Sequence, residues 1–172
     1  MNFQDAYGLK GRRALVTGGS RGLGLATAGC LIAAGAEVIL TATTEDGARK
    51  AAQGLGPNAT GVVFDVTRHG EAAAFVDGLF EAHGPIDILV NNAGNSVKKP
   101  FEETTLADFA AVLDVHLRGA YAMTRAIIPH YLAAGAGDVV FIASMASFLG
   151  IPKVIGYSAA KSAYIGMVRA LA

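Results

Sequence analysis

The sequence predicts an α/β fold, a doubly wound and mostly parallel sheet between two helical layers. Three observations carry this. Apolar, β-rich runs alternate with segments of helical spacing along the chain. The runs ALVT, DILV and DVVFIA are apolar on consecutive positions, as in strands covered on both faces. Glycines recur where such runs give way to helical segments, which suits tight strand-to-helix turns. Right-handed connections then give the doubly wound order.

Composition bounds the reading. The chain has 172 residues, 52% hydrophobic and 16% charged, which suits one compact unit over 1–172 with a real core. Lys+Arg and Asp+Glu balance at 14 each, so charge gives no argument for nucleic acid or an acidic membrane. No apolar run reaches the length of a membrane span. The start, MNFQDAYGLKGRR, lacks the apolar core of a signal peptide, and a cytoplasmic location is expected. The single cysteine, Cys30, lies in an Ala-rich helical pattern and is expected as a small buried thiol; no disulfide framework is possible.

The first strand, Ala14–Thr17, runs into TGGSRGLG and a helix over Leu23–Ala34. Gly18, Gly22 and Gly24 form G-x-x-x-G-x-G between strand and helix, the context that a pyrophosphate-binding turn requires. The helix start directs free N–H groups and its positive dipole end at such a group. This makes the sheet Rossmann-like. The second strand, Val38–Thr41, ends in Ala42, Thr43 and Thr44, with no acid before Glu45, and a helix follows over Glu45–Leu55. An acid there would bond a ribose 2′-hydroxyl; its absence, with Arg21 in the glycine turn, favours a 2′-phosphate and hence NADP over NAD. Arg21 as a solvated loop side chain is the plainer alternative.

The third strand, Gly61–Asp65, ends in an acid that suits an adenine amino group or an N-cap for the helix expected over Arg68–His83. The fourth, Ile86–Asn91, ends in NNAG, which suits a close-approach turn beside a cofactor and equally plain turn chemistry. A long helix is expected from Thr105 to Ala134, carrying His116 among apolar residues. A lone His in such surroundings is more often a packing residue than a catalytic one. No second His or Cys stands at metal-ligand spacing, so no metal is expected. His69, His83 and His130 read as surface or helix-end residues. The fifth strand, Val139–Ala143, leads to Ser144, and the last helix starts near Tyr157.

Tyr157 and Lys161, four apart in YSAAK, share one helix face. A cation near a phenol favours the phenolate and suits it to proton transfer, and a serine hydroxyl can donate to an oxygen gaining charge. Hydroxyl, phenol and ammonium together suit a carbonyl.

With TGGSRGLG, NNAG, Ser144 and YSAAK in this order, the chain resembles the short-chain dehydrogenase/reductase family from about Gly11 onward. VTGGSRGLG, TATT and FDVT are similar in flavour to the 3-oxoacyl-acyl-carrier-protein reductases. The resemblance implies a ketone/secondary-alcohol oxidoreductase with Ser144, Tyr157 and Lys161 catalytic. It implies cofactor contacts at Gly18, Ser20, Arg21, Gly22, Leu23, Thr43, Asp65, Val66, Asn91, Ala93 and Gly94, with Tyr157 and Lys161 reaching the nicotinamide end. Ser96, Phe148, Leu149, Gly150, Ile151, Pro152 and Val154, with Ser144 and Tyr157, are candidates to line a small-molecule substrate site. Family practice also implies a homo-oligomer, dimer or tetramer, through the long helix and the last one.

Two departures stand out. His116 occupies a place where the family usually has Asn holding a water behind the Lys; its charge state would add a pH dependence near neutrality. The resemblance further implies two more strands and a closing segment beyond residue 172, so the α/β unit is expected to be incomplete at its C-terminal end. A non-catalytic dinucleotide-binding module is the alternative reading. His116 and the early end speak for it, and Ser144, Tyr157 and Lys161 against it.

Overall fold

The computed structural model describes residues 8–172, so the first seven residues of the stretch read for a signal core lie outside the described part. The described residues form five strands: β1 (Arg13–Val16), β2 (Glu37–Ala42), β3 (Ala59–Val63), β4 (Ile88–Asn91) and β5 (Asp138–Phe141). All pair in parallel, in the order β3-β2-β1-β4-β5. The order reverses between β1 and β4, and a crevice opens at their carboxyl ends. Among the described residues, no helix is long and apolar enough to cross a membrane.

The doubly apolar strands feed two cores. Leu15, Ile39 and Leu89, side by side in register, face one way and meet Val76, Met123 and Ile127. Their neighbours Ala14, Val16, Val38, Leu40 and Val90 face the other way and meet Ala28 and Ala51. The period of two along each strand therefore sorts residues onto helices on opposite faces. Helices α1 (Gly22–Ala33) and α2 (Glu45–Leu55) cover one face; α3 (Ala72–His83) and α5 (Gly119–Ala134) cover the other.

Three expectations change. The Arg68–His83 segment begins as a 3-10 turn at His69–Glu71, because Asp65 spends one carboxylate oxygen on the Thr67 amide (2.9 Å) and hydroxyl (2.8 Å). Asp65 thus closes a local turn and caps no α-helix. The long helix is broken into α4 (Leu106–Leu113), a π turn at Asp114–Arg118, and α5. Cys30 is exposed, since α1 buries Gly24 and Ala28 and a residue two places on points away from that face. The last helix, α6 (Ile155–Leu171), packs against α4, with Gly156 over Val112 and Phe109.

Helix α2 lies so close to β3 that a Cβ on Gly61 would sit 2.1 Å from the Ala48 carbonyl oxygen. Gly54, also on α2, faces open space. Urea unfolding should show Gly61→Ala destabilised by more than about 2 kcal/mol, since backbone must move. Gly54→Ala should gain roughly 0.5–1 kcal/mol from helix propensity. Equal effects of the two would contradict this packing.

Candidate active site

The crevice at the carboxyl ends of β1 and β4 is a cleft of about 540 Å³. Gly18, Ser20, Arg21, Gly22, Leu23, Thr43, Asp65, Val66, Ala93 and Gly94 line it, which brings together ten of the residues expected to contact a cofactor. Gly18 (φ 62°) and Gly22 (φ 55°) hold the left-handed backbone of the turn. A Cβ on Gly18 would press on Ala93 at 2.9 Å, whereas Gly22 has nothing within 4 Å. A dinucleotide phosphate can therefore approach the backbone there. Arg21 is exposed at the start of α1, where its side chain makes no capping bond. Thr44 is used up as the N-cap of α2, accepting from Gly47 at 3.2 Å, whereas Thr41, Ala42 and Thr43 of that run line the cleft.

Asn91 requires a correction of placement. Its side chain is buried, donates to Thr124 at 3.1 Å and does not line the cleft. Its carbonyl accepts from Ile142 (3.1 Å), so the residue belongs to the sheet. The next residue does the work at the turn. Asn92 Nδ2 donates to the Thr17 and Gly18 carbonyls at 2.9 and 3.0 Å. Thr17 Oγ1 accepts from the Asn92 and Ala93 amides at 3.0 and 3.1 Å, and Thr41 Oγ1 accepts from the Gly18 amide at 3.0 Å. Sequence reasoning passed over Thr17 and Thr41 as holders of the turn; an Asn tying neighbouring strands was expected of the NNAG pair, and Asn92 is the one that does so. The available signal was a polar residue closing an otherwise apolar run.

Beyond Gly94 the second half of the site begins. Tyr157 and Lys161 stand one turn apart on α6. Lys161 is 3% exposed; its Nζ donates to the Ile142 carbonyl at 2.5 Å and lies 5.5 Å from the Tyr157 ring centre. Burial lowers its pKa from an ordinary 10.5 to about 8. Ser144 caps a single 3-10 turn, Met145–Ser147, and its Oγ accepts from the Ala146 amide at 3.1 Å. That bond fixes the oxygen and leaves the hydroxyl proton free to donate outward. Ser147, which the sequence reading did not single out, donates to the Lys161 carbonyl at 2.8 Å and ties this loop to α6.

His116, in the π turn, joins the two halves. Its ring occupies the place a Gly94 side chain would take, with Cε1 2.3 Å from that Cβ position. Nε2 is 2.7 Å from the Asn95 carbonyl oxygen and 3.1 Å from the Asn95 amide nitrogen; the shorter contact assigns Nε2–H as donor. Nδ1 is then a buried acceptor without a protein partner. The other flank of the imidazole meets the Tyr157 ring edge-on, centres 5.4 Å apart. Burial lowers the His116 pKa, opposed by the Asn95 carbonyl and helped by the Lys161 charge. The neutral ring is therefore favoured more than in a free imidazole, and the extra pH dependence expected near neutrality is displaced toward acid.

Ser96 and Phe148 are exposed, and neither lines the cleft. Their loops are tied to each other by the Lys99 amide and the Lys153 carbonyl at 2.9 Å. Among the described residues, no group of His, Cys, Asp or Glu could hold a metal ion.

A family model described as short chain dehydrogenase matches residues 12–172. The chain belongs to the short-chain dehydrogenase family. Gluconate 5-dehydrogenase of Gluconobacter oxydans is 36% identical over 178 residues, covering 100% of this chain and 68% of the relative. The 3-oxoacyl-acyl-carrier-protein reductase of Escherichia coli is 33% identical over 172 residues, covering 100% and 68%. Among solved structures, gluconate 5-dehydrogenase from Burkholderia cenocepacia in complex with NADP and tartrate superposes with a TM-score of 0.90 at 36% identity, covering 95% of this chain and 65% of that one. A short chain dehydrogenase from Bacillus anthracis superposes at 0.87 and 26% identity, covering 93% and 68%. The chain thus spans about two thirds of the length of these relatives.

Because the folded pKa of Lys161 lies below its ordinary value, the charged form costs stability below about pH 8. That cost is relieved as pH rises between about 8 and 10.5. A shift of this size is worth roughly 3 kcal/mol. Lys161→Met should therefore raise Tm at pH 7 by about 5 °C and flatten the stability–pH curve over that window. A lower Tm, measured by calorimetry, would show that the ammonium is a net stabiliser.

Proposed function

We propose that the chain carries the nucleotide-binding and proton-handling parts of an oxidoreductase that uses NADP(H) to interconvert a ketone and a secondary alcohol. The observation that carries this is the buried Lys161 ammonium held beneath the Tyr157 ring and hydrogen-bonded to Ile142. A non-catalytic nucleotide module has no use for so costly a charge.

The cleft fits the cofactor. The glycine turn admits phosphates to the backbone and the N-terminus of α1 meets their charge. Arg21 and Thr43 suit a 2′-phosphate, because no acid stands at the end of β2 to repel it. Asp65 Oδ2, not engaged by Thr67, suits an adenine amino group. The NADP-bound relative at 36% identity supports the same choice.

The reduced cofactor, when bound, supplies the hydride that the carbonyl carbon takes. Tyr157 holds the proton that the carbonyl oxygen takes, so that each reduction consumes one hydride and one proton. The positive charge of Lys161 answers the negative charge left on the phenol oxygen. Ser144, its oxygen fixed by the Ala146 amide, turns its O–H toward the substrate oxygen. In alcohol oxidation the proton and hydride travel the opposite way. The substrate meets the segment around Phe148, Leu149 and Ile151, which exposes apolar surface beside Ser144. The names of the relatives point to sugar-acid and 3-oxoacyl compounds as the first substrates to try.

Tyr157→Phe should lower turnover by about a thousandfold while NADPH binding, followed by calorimetry, changes less than about threefold. Retained turnover would remove the phenol from the reaction. NADPH should bind more tightly than NADH. Arg21→Ala should weaken NADPH by roughly tenfold and leave NADH unchanged; equal losses for both would place Arg21 away from the 2′ position.

A further inference from the structure

Lys161 has a second aromatic neighbour. Tyr164, three residues on along α6, is 1% exposed, and its ring centre lies 4.7 Å from Lys161 Nζ, nearer than that of Tyr157. The two rings stand one turn to either side of the ammonium on one helix face. The ammonium has three N–H donors, and the Ile142 carbonyl takes one. The remaining positive charge faces aromatic surface, and a desolvated cation over a ring gains most from such contact.

The Tyr164 hydroxyl is engaged elsewhere. It donates to the His116 carbonyl in the π turn at 2.9 Å, in a buried contact. The ring is thereby pinned at both ends of its long axis, by α6 and by the turn. The ring of Phe141 on β5 packs against it, centres 5.2 Å apart. Burial keeps the hydroxyl protonated, with the Tyr157 side chain adding to the effect, so it acts as a donor throughout the working pH range.

We propose that Tyr164 is a positioning residue for this chemistry, whose ring face holds the Lys161 ammonium in its charged form while its hydroxyl fixes that face against the His116 turn. The inference rests on the reading of Lys161 as the partner of Tyr157, and it separates two parts of one side chain. The face acts on the charge of Lys161. The hydroxyl acts on position alone. The titratable groups facing Lys161 are Tyr157 and Tyr164 from α6 and His116 from the π turn; β5 and the residue after it offer only the Phe141 ring and the Ile142 carbonyl. None of these carries a fixed opposite charge, so the ring face is the part that a substitution can remove cleanly.

The test reads Lys161 directly and requires no turnover. The full chain is labelled with lysine carrying ¹³C at Cε, and the Lys161 signal, assigned by its loss in Lys161→Met, is followed by NMR as pH is raised. In the unaltered protein the titration should fall near 8. Tyr164→Phe keeps the face and should titrate at the same place. Tyr164→Leu should titrate roughly one unit lower. Pentafluorophenylalanine at position 164 has the shape of Phe but reverses the charge of the ring face, so it tests the same point where the Leu variant fails to fold; it too should titrate lower. An unmoved midpoint with the fluorinated ring, or a fall as large with Phe, overturns the proposal. If no ketone is turned over, the functional reading fails while this titration still decides the role of Tyr164.

Discussion

One ammonium, that of Lys161, is buried inside the protein, and the rest of the site is packed around it. An unpaired buried charge costs several kcal/mol, and this one meets no carboxylate among the described residues. It lies against the Ile142 carbonyl and two tyrosine rings, and burial draws its pKa down to about 8, which leaves it mostly protonated at neutral pH. The surrounding architecture follows from that burial. Helix α6 must dock where β5 ends, so that the first carbonyl past the strand reaches Nζ. The loop between them must be held at that height, and Ser147 does so through the Lys161 carbonyl. A poorly held loop would admit water and return the lysine to its ordinary behaviour.

A different device holds the nucleotide end. A parallel sheet that reverses its order leaves two carboxyl ends diverging, and their backbone groups need partners. Thr17 and Asn92 close this gap by bonding across β1 and β4 in both directions, and Thr41 does the same from β2. The glycine turn is thus clamped from three strands before any ligand is considered. Its shape is a property of the sheet.

The fold class was legible because consecutive apolar positions leave little choice but a strand buried on both faces. The glycine turn, with the ten expected cofactor contacts that line the cleft, was legible because its residue types are those that positive φ and close approach demand. The π turn was not. One extra residue in a turn shifts the buried face by less than the width of the apolar stripe, so Phe109, Val112 and Met123 still fall at plausible helical spacing on either side of it. Nor could the strand tell whether Asn91 or Asn92 faces the cleft, because parity at the last ladder position depends on where pairing stops. Cys30 was misread because an Ala-rich helix offers little contrast between its faces. The hydrogen bonds of Thr17 and Ser147 join residues 75 and 14 positions apart, and no local pattern marks them.

His116 shows how two distant motifs become one site. NNAG and YSAAK are each legible alone, yet they meet through a residue that belongs to neither. The imidazole fills the volume that the missing Gly94 side chain leaves, bonds the Asn95 carbonyl and presents its flank to the Tyr157 ring. Each contact limits the others. A side chain at position 94 would push the ring toward Tyr157, and a shorter residue at position 116 would leave the phenol without its edge-on neighbour. The glycine of the nucleotide turn is therefore required by the group that orients the phenol, as well as by any ligand in the cleft. A charged imidazole would stand against the Lys161 ammonium in the same interior, and burial shifts the ring toward its neutral form. In this chain one imidazole, packed between Gly94 and the Tyr157 ring, joins the cleft to the phenol, and its burial beside the Lys161 charge favours the uncharged form.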